Sequence, residues 1–392
     1  MTGIVIVGAG LGGLRTAESA RAAGYQGPIT IVGEESHLPY NRPPLSKEAL
    51  STGVAVDDLH FRRKPSVDDV TWHLGAPAIG SDLVARTVTL ADGTVLSFQA
   101  LVAATGIRPR RLPIDGPQAG CIVLRTADDA LQLRERLIPG AQVVILGAGF
   151  IGCEVAATAI KLGCTVHVVA IDTEPMIRPL GAELGSAMRV RHEHHGVHFH
   201  LGRFVTGFVG DEQITRVTVD DGTELAADVV VEAVGSVANV EWLAGNGLDL
   251  SDGLLVDDAM AVIDAPCPMF AVGDIARHPN AWFPGPARRI EHWNMPTETG
   301  KRAGQSLAAV LSGAPMDTAA FAAMPSFWSD QYSHKLQSFG MPGLADHITV
   351  VAGSPDGPCI AEYRRDGQLV GVVGIDMTAE LAPYRKQLMG QQ

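Results

Sequence analysis

Short apolar segments that end in glycine recur along the chain and alternate with longer, alanine-rich segments. Residues 4–7 are aliphatic and lead through a glycine-rich loop into the segment 14–23, which ends before Gly24. A second aliphatic run, residues 29–32, then stops at Gly33. Apolar runs of this length between turn residues indicate buried strands, and the segment between them indicates a helix. The pattern therefore predicts strand, helix and strand in succession, as in a parallel sheet.

The same order of elements recurs in the middle of the chain. Residues 143–146 are aliphatic, the segment 153–162 ends before Gly163, and residues 165–169 form the next apolar run. The repeat predicts a second α/β unit that resembles the first.

The pattern changes after about Met316. The segments 314–321, 327–332 and 367–376 are interpreted as strands, with a hairpin near Asp366 and Gly367. Strands joined by such turns predict a small α+β domain at this end of the chain.

Both glycine-rich loops carry the G-x-G-x-x-G spacing. The first has Gly8, Gly10 and Gly13, and Glu34 follows the second strand of that unit. The first glycine permits a tight turn, the second lets a pyrophosphate approach the backbone, and the third lets helix pack on strand. The helix N-terminus offers N–H groups and a positive dipole end to the phosphates. An acid at the position of Glu34 accepts hydrogen bonds from ribose hydroxyls, so this unit is predicted to bind a dinucleotide.

The second loop has Gly147, Gly149 and Gly152. Two such units imply either two bound dinucleotides, or one that stays bound and one that exchanges. The second arrangement is typical of a flavoprotein reductase with FAD and a nicotinamide nucleotide. Ala170 stands where the ribose acid of the second unit is expected. Asp172, two residues later, lies on the same side of an extended chain and could replace it. Because the nearest arginine is Arg178, NADH is favoured over NADPH as the substrate.

Two more apolar runs complete the FAD-binding unit. One lies within residues 101–110 and ends at Thr105 and Gly106. The other lies within residues 269–276, ends at Gly273 and Asp274 and is expected to enter a helix. An aspartate at a helix start can accept a hydrogen bond from the flavin ribityl chain, or it can simply cap the helix.

Composition and charge narrow the function. The 392 residues carry a formal net charge of −13, which disfavours nucleic acid and anionic membranes as partners. The chain shows neither a signal-peptide pattern nor an apolar run of membrane-spanning length, so the cytoplasm is the expected compartment. The five cysteines form no C-x-x-C or C-x4-C pair, which disfavours disulfide reduction. Histidines 192, 194, 195, 198 and 200 lack a zinc-site spacing, so no metal site is predicted.

The motifs resemble those of the FAD-containing, NADH-dependent ferredoxin reductases of bacterial oxygenase systems. The resemblance rests on the segments YNRPPLSKEAL at 40–50, RIEHW at 289–293 and FWSDQY at 327–332, and it extends from residue 4 to about residue 376. It implies an α/β fold with two Rossmann-like, glutathione-reductase-like domains and a small α+β C-terminal domain. The expected boundaries are 1–112 with 240–315 for FAD, 113–239 for NAD and 316–392 for the C-terminal domain.

The resemblance also implies the site residues. Those expected at FAD, besides the loop glycines and Thr105, Gly106 and Gly273, are Gly12, Glu34, Arg42, Lys47, Ala78, Arg125, Asp274 and Trp293. Those expected at NAD, besides its loop glycines and Asp172, are Phe150, Ile151, Glu154 and Gly235. Lys47 would stabilise negative charge on the flavin as hydride arrives, and Glu154 would contact the nicotinamide and pair with Lys47.

Hydride transfer from NADH to FAD, followed by electron transfer to a small iron–sulfur ferredoxin, is the function that the resemblance implies. Because ferredoxins are generally acidic, docking would need a local basic patch. The candidates are Arg288, Arg289, Lys301, Arg302 and Lys335. An NADH oxidase, a rubredoxin or disulfide reductase, and a redox-responsive interaction protein like apoptosis-inducing factor stay open as alternatives.

Overall fold

The structure is a computed structural model that describes residues 2–390. It divides into two compact units. Within the described residues, the first comprises 2–41, 59–108 and 237–325, and the second comprises 42–58, 109–236 and 326–390. Helices and strands are numbered below along the whole chain. The boundaries predicted above for the nucleotide-binding domains stay a prediction.

The first unit is built on a sheet whose central strands are parallel. Its elements are β1 (Gly3–Val7), α1 (Leu11–Ala22), β2 (Ile29–Val32), β3 (Thr71–His73), β4 (Ala78–Asp82), β5 (Thr87–Leu90), β6 (Val95–Ala103), β17 (Leu254–Leu255), β18 (Met269–Ala271), β19 (Ala276–His278), β20 (Arg288–Arg289) and α6 (Met295–Ser312). The strand order is β3-β2-β1-β6-β5-β4, and β18 pairs in parallel with β6. All five residues of β1 are buried, because helices or strands cover it on every side.

Helices α1 and α6 pack closely because α6 carries glycines on the face that meets α1. A Cβ added at Gly304 would lie only 2.5 Å from the Cβ of Ser19, and one at Gly300 would lie 3.1 Å from the carbonyl oxygen of Gly12. Gly313, with φ of 73°, then ends α6 in the left-handed conformation that glycine adopts without strain. This contact fixes the direction in which α1 leaves the first glycine loop.

The second unit contains a parallel sheet, a three-stranded antiparallel sheet and the C-terminal sheet. Its elements before the C-terminal sheet are α2 (Glu48–Ser51), β8 (Cys121–Val123), α3 (Ala127–Arg136), β9 (Gln142–Leu146), α4 (Phe150–Lys161), β10 (Thr165–Ala170), α5 (Ile177–His194), β11 (Val197–Leu201), β12 (Val205–Val209), β13 (Arg216–Val219), β14 (Glu224–Ala226) and β15 (Val229–Glu232). Strands β7 (Ile107–Pro109) and β16 (Ser236–Ala238) span the sequence boundaries between the units. The parallel sheet has the order β11-β10-β9-β15-β8.

The C-terminal part of the second unit is an antiparallel sheet of order β21-β22-β25-β24-β23. Its elements are β21 (Ser326–Gln331), β22 (His334–Gly340), β23 (His347–Gly353), β24 (Cys359–Arg365), β25 (Gln368–Ile375) and α7 (Ala382–Gly390). The predicted hairpin is confirmed: Asp366 and Gly367, with φ of 51° and 77°, join β24 to β25. One face of the sheet packs on α5, where the Tyr363 hydroxyl donates a 2.8 Å hydrogen bond to the Leu180 carbonyl.

Three predictions of secondary structure are wrong. Residues 314–321 form no strand, because side chains hold this stretch in an irregular path: Asp317 pairs with Arg302, and the Phe321 amide donates to Asp258 at 2.7 Å. Asp274 enters no α-helix. It lies in the single 3-10 turn Gly273–Ile275, and β19 follows immediately, so only one turn of helical backbone fits.

The third error concerns where the two loop helices start. Helix α1 begins at Leu11 rather than at residue 14, and α4 begins at Phe150 rather than at residue 153. The last glycine of each motif therefore lies inside the first helical turn. A Cβ added at Gly13 would lie 2.2 Å from the Gly8 carbonyl oxygen, so the helix can start this close to its loop only with glycine there.

Among residues 2–390, no helix is both long and apolar enough to cross a membrane.

Candidate functional site

The first glycine loop joins β1 to α1. Gly8 has φ of 124°, and a Cβ there would lie 2.1 Å from the Ala104 carbonyl oxygen, so only glycine fits. Gly10 differs, because a Cβ at that position would meet nothing within 4 Å. Gly10 is also the N-cap of α1, and no side chain caps the helix there. The helix N-terminus therefore faces open space with uncapped N–H groups, as a pyrophosphate site requires.

The second loop, between β9 and α4, repeats this geometry in the second unit. Cβ atoms at Gly147 and Gly152 would lie 2.4 Å from the Ala233 carbonyl oxygen and 2.2 Å from that of Gly147. A Cβ at Gly149 would meet nothing within 4 Å, and no side chain caps α4. Both predicted loops thus fit a dinucleotide phosphate.

The residues that follow the second strand of each unit differ. In the first unit, Gly33 donates from its amide to the His73 carbonyl at 2.8 Å, and the next residue, Glu34, is exposed. In the second unit, β10 ends at Ala170 and the Asp172 carboxylate lies 3.9 Å from the Arg178 guanidinium. Glu34 and Asp172 therefore both present accessible carboxylates, and Asp172 has a cation beside it.

A buried ion pair lies within the second unit. The Lys47 ammonium is 2.8 Å from the Glu154 carboxylate, and their side chains are only 13% and 7% exposed. Lys47 follows the 3-10 turn Pro43–Ser46 and also donates to the Pro43 carbonyl at 3.2 Å. The structure therefore brings the two predicted catalytic residues together.

Three hydroxyl groups complete the surroundings of this ion pair. Ser46 donates to the Glu154 carboxylate oxygen that Lys47 also contacts, at 2.5 Å, and Ser329 of β21 donates to the other oxygen at 2.6 Å. Thr158, one turn after Glu154 in α4, donates to the Ser46 carbonyl at 2.8 Å. Sequence reasoning missed these hydroxyls as site residues, although Ser46 and Ser329 lie within the RPPLSK and FWSDQY segments.

The remaining residues predicted at NAD lie around the second loop. Phe150 starts α4 and packs on Phe327, with ring centroids 4.9 Å apart. Ile151 is 44% exposed. Gly235 has φ of 98°, and its carbonyl accepts the Arg110 amide at 2.9 Å. In the same unit, the Arg42 guanidinium donates to the Arg125 carbonyl at 2.6 Å, which ties the two arginines predicted at FAD to each other.

The residues predicted at FAD in the first unit lie at strand and helix ends. Thr105 is bound to Asn239 by two hydrogen bonds of 2.7 and 2.9 Å, and Gly106 follows with φ of 63°. The Gly273 amide donates a 2.9 Å hydrogen bond to the Thr299 hydroxyl of α6. The Asp274 carbonyl accepts a hydrogen bond from Arg289.

Three other residues predicted at FAD in this unit differ in exposure or in their contacts. Trp293 is 40% exposed, and its indole N–H donates to the Asn41 side chain at 2.9 Å. Ala78 starts β4 and is half-buried. A Cβ at Gly12 would lie 3.2 Å from the Val272 side chain, so this glycine serves packing within the unit.

The basic residues predicted for docking fall into two groups. Arg289 pairs with Asp252 and Glu291 and its side chain is 15% exposed, and Arg302 pairs with Asp317 and is 12% exposed. Arg288 is half-buried and donates to the Phe283 carbonyl at 3.3 Å. Lys301 and Lys335 are instead exposed, and the Lys301 ammonium lies 3.8 Å from the Glu298 carboxylate. The two lysines are therefore the more accessible cations.

Comparison with known proteins identifies relatives over nearly the whole chain. The family model described as pyridine nucleotide-disulphide oxidoreductase matches residues 2–300, and the model described as reductase C-terminal matches residues 326–392. Rhodocoxin reductase of Rhodococcus erythropolis is 36% identical over 98% of this chain and 89% of its own length. The benzene 1,2-dioxygenase system ferredoxin–NAD(+) reductase subunit of Pseudomonas putida is 32% identical over 97% of this chain and 90% of its own.

A solved structure shares the fold. The crystal structure of the covalent putidaredoxin reductase–putidaredoxin complex contains a chain that matches with a TM-score of 0.90 and 30% identity, over 99% of this chain and 93% of that one. The predicted α/β fold, with dinucleotide-binding units and a separate C-terminal domain, is confirmed by this match and by the two family models.

Proposed function

Because this chain belongs to the pyridine nucleotide-disulphide oxidoreductase family, enzymes that work with FAD and a pyridine nucleotide, we propose that it transfers electrons from NADH to a small iron–sulfur ferredoxin. The ferredoxin, a [2Fe–2S] protein or a similar carrier, would feed a cytochrome monooxygenase or a ring-hydroxylating dioxygenase. The observation that carries the proposal is the combination of two open glycine loops with the buried Lys47–Glu154 pair, in a chain similar over its length to ferredoxin reductases. We place the reaction in the cytoplasm, where NADH is formed.

The first loop would hold FAD and the second would hold NADH. Open space at Gly10 and at Gly149, together with an uncapped helix start at each, gives both pyrophosphates a place to approach the backbone. Glu34 would accept hydrogen bonds from the FAD ribose. Bound FAD supplies the chemistry, since it accepts hydride from NADH and releases electrons one at a time.

Lys47 and Glu154 would set the electrostatics of the reaction. Hydride transfer adds negative charge to the acceptor, and a fixed ammonium group lowers the energy of that charge in a site that excludes water. Lys47 is mostly buried, so it needs a counter-charge, which Glu154 supplies at 2.8 Å. We also propose that Glu154 contacts the nicotinamide.

The nucleotide preference would depend on Asp172. Its carboxylate is accessible at the end of β10 and would accept hydrogen bonds from the ribose hydroxyls of NADH, while a 2′-phosphate would be repelled. Arg178, 3.9 Å away, partly offsets that repulsion. The expected preference for NADH is therefore moderate.

Docking of the ferredoxin would use exposed cations. Lys301 and Lys335 are the best supported of the five candidates because their ammonium groups are exposed. Arg288, Arg289 and Arg302 contribute less, since their guanidinium groups already have partners within the first unit. Charges of this kind raise the association rate more than the affinity, and the effect falls with ionic strength.

Disulfide reduction is disfavoured as a second activity. Cys153, the cysteine next to Glu154, is fully buried, and burial raises the pKa of its thiol. A nucleophilic cysteine needs the opposite, an accessible thiol of low pKa.

Anaerobic stopped-flow reduction of the purified protein by NADH and by NADPH tests the proposal, followed by cytochrome c reduction with and without added ferredoxin. We expect bound FAD, rapid bleaching by NADH, and cytochrome reduction that depends on ferredoxin. Rates that rise with rubredoxin alone would assign the protein to rubredoxin reduction. Oxygen consumption without any carrier would indicate an NADH oxidase. Slow reduction that leaves a stable long-wavelength band, with no carrier effect, would favour a redox-responsive interaction protein.

A further inference from the structure

We propose that Ser329, Gln331 and His192 are positioning residues, whose directed chain of hydrogen bonds fixes the Glu154 carboxylate and, through it, Lys47. All of these residues lie within the second unit. The inference rests on the proposed function, because it assigns a purpose to Lys47 in the reductase reaction. It extends that function to the C-terminal sheet and to α5, neither of which belongs to a glycine loop.

Side chains alternate between the two faces of β21, and this alternation places the strand's members of the hydrogen-bond chain on one face. Residues 327, 329 and 331 lie on one face of the strand, because successive side chains point to opposite faces. Helix α4 presents Phe150 and Glu154, four residues apart, on one face. Phe327 packs on Phe150 at 4.9 Å and Ser329 reaches Glu154 at 2.6 Å, so strand and helix face each other in matching register.

The donors and acceptors follow one direction from Glu154 outwards. The carboxylate that pairs with Lys47 can only accept, so the Ser329 hydroxyl must donate to it. The Ser329 oxygen then accepts from the Gln331 amide N–H₂ at 3.0 Å, which leaves the Gln331 carbonyl oxygen to accept. His192 Nε2 lies 2.7 Å from that oxygen and must carry the proton. The network thus assigns the Nε2–H tautomer to His192.

The chain of hydrogen bonds ends at Tyr332. His192 Nδ1, which has no proton in this tautomer, lies 3.1 Å from the Tyr332 hydroxyl and accepts its hydrogen bond. Burial lowers the pKa of His192 to about 4, so the imidazole is neutral at pH 7, and burial raises the pKa of the Tyr332 hydroxyl, so it keeps its proton. Each of the four links therefore points its donor towards Glu154.

Tyr332 is held in place at some conformational cost. It lies in the two-residue turn between β21 and β22 with φ of 57°, a left-handed conformation that residues other than glycine adopt rarely. Its ring stacks on His195 with centroids 3.7 Å apart and planes 10° from parallel. Contacts with α5 thus stabilise the strained turn. The turn then holds Tyr332, at the outer end of the hydrogen-bond chain, in a fixed position.

Burial makes the chain effective. Ser329, Gln331 and His192 are at most 1% exposed, so water does not compete for their hydrogen bonds. In such surroundings aligned hydrogen bonds polarise one another, and a missing link leaves buried polar atoms without partners. Donors on both oxygens of Glu154 spread its negative charge and restrict rotation of the carboxylate. Lys47 then keeps more of its positive charge available to the flavin, which raises the reduction potential of bound FAD.

The test compares Ser329→Ala, Gln331→Met and Tyr332→Phe with a control, Gln368→Met. Met matches the length of Gln without its amide, Phe removes only the hydroxyl of the half-buried Tyr332, and Gln368 lies exposed on β25 of the same sheet. The midpoint potential of bound FAD is measured by anaerobic dye titration without nucleotide. Histidine-selective ¹⁵N NMR reports the tautomer of His192, and stopped-flow gives the limiting rate of reduction by NADH.

We expect a graded result. The potential becomes more negative in Ser329→Ala and Gln331→Met and least so in Tyr332→Phe, while the control keeps the wild-type value. The limiting rate falls about fivefold in the first two variants, the effect of one hydrogen bond. The His192 ¹⁵N signals show Nε2–H in the wild type and change in Gln331→Met and Tyr332→Phe.

Two kinds of failure are distinguishable. A wild-type protein that binds no FAD or is not reduced by NADH would contradict the proposed function itself. A normal wild-type protein whose variants keep its potential, or become more positive, would contradict the positioning role alone. Tyr332→Phe keeps the test decisive if a buried substitution prevents folding, because an unchanged His192 signal in that variant also refutes the chain.

Discussion

The two glycine loops share the same backbone geometry, but the side chains next to that backbone differ. In each, a Cβ at the first or third glycine would strike a carbonyl oxygen at 2.1 to 2.4 Å, whereas a Cβ at the middle glycine, Gly10 or Gly149, would meet nothing within 4 Å. The outer glycines therefore serve the turn and the helix packing, and the middle glycine leaves room for phosphate. This part of the geometry suits either nucleotide.

The loops diverge two residues after the third glycine, where Arg15 stands in α1 and Glu154 in α4. Arg15 pairs with Glu18 of its own helix at 2.7 Å and is partly exposed. Glu154 is buried and pairs with Lys47, which comes from a distant part of the sequence. One loop thus uses this position to stabilise its helix, and the other uses it to place a charge pair.

The comparison teaches that nucleotide binding and catalysis are separable in this chain. The glycines create a phosphate site, and the side chains on the first helical turn determine which charged groups lie beside that site. Substitutions at equivalent positions of the two loops should therefore have different consequences, and paired variants can test this directly.

Valine at the middle glycines should have the largest effect. Gly10 and Gly149 have φ of −92° and −76°, which valine tolerates, so its side chain would fill the phosphate space without disturbing the fold. Gly10→Val should be purified without FAD, and Gly149→Val should keep FAD but lose NADH binding. Loss of two charged hydrogen bonds predicts a decrease in affinity of roughly 100-fold or more in each case. Flavin absorbance and NADH titration measure the two losses.

Gly80→Val and Gly207→Val are matched controls. Both glycines lie in strands, one in each unit, and a Cβ at either meets nothing within 4 Å. Both variants should retain FAD and NADH binding. Loss of FAD from Gly149→Val, or its retention in Gly10→Val, would show that the two loops have been assigned to the wrong nucleotides.

Removing the charge at the diverging position should have the next largest effect. Glu154→Gln leaves Lys47 without its counter-charge, and we expect the rate of FAD reduction by NADH to fall about 10- to 100-fold. Arg15→Gln should leave that rate within about twofold and lower the free energy of unfolding by about 1 kcal/mol, because a single partly exposed pair is lost. Stopped-flow and thermal denaturation give the two values, and equal rate losses in both variants would contradict the comparison.

The sequence predicted the backbone of both loops because their constraints are local. The six loop glycines follow from the motif spacing alone. The hairpin follows from its turn residues, Asp366 and Gly367. The apolar pattern predicts both helix starts three residues late, because it begins after the last glycine of each motif while the helical backbone includes that glycine. The pattern of residues 314–321 predicts a strand, but the irregular path of this stretch depends on contacts with Arg302 and Asp258, 15 and 63 residues away in sequence.

The surroundings of Glu154 could be predicted only in part. Its partner Lys47 follows from the family resemblance. Ser329 lies 175 residues after Glu154 and, like Gln331, reaches the site because β21 packs against α4. The sequence indicates His192 only as a candidate metal ligand, because nothing local marks it as the partner of Gln331. The alternation of residues 327, 329 and 331 was the available signal, because it puts one aromatic and two polar side chains on one face.

Buried histidines should make the stability depend on pH, and His192 is a clear case. Burial lowers its pKa in the folded state from 6.5 to about 4. Between these values the unfolded state binds more protons, so stability is complete above about pH 6.5 and is lost as the pH falls towards 4. At pH 5 the expected loss from His192 is about 2 kcal/mol relative to pH 7.

Denaturant unfolding of wild type and His192→Gln between pH 5 and pH 7 checks this expectation. The variant should show a shallower dependence on pH, whatever its absolute stability. His347→Gln, at an exposed position of β23, is the control and should keep the wild-type slope. His292, in the first unit, has a pKa that burial also lowers to about 4, so part of the slope should remain in His192→Gln.

The acids after the second strand of each unit should give the smallest and most specific effects. Asp172→Ala should raise the KM for NADH about fivefold, the loss of one hydrogen-bonded group, and should narrow the preference over NADPH because Arg178 then faces the 2′-phosphate without competition. Glu34→Ala should weaken FAD retention instead and leave the ratio of the two nucleotides unchanged. Steady-state kinetics with both nucleotides and FAD dissociation measurements separate the two variants. An unchanged NADH-to-NADPH ratio in Asp172→Ala would mean that Asp172 does not replace the acid missing at Ala170, and that another group reads the ribose.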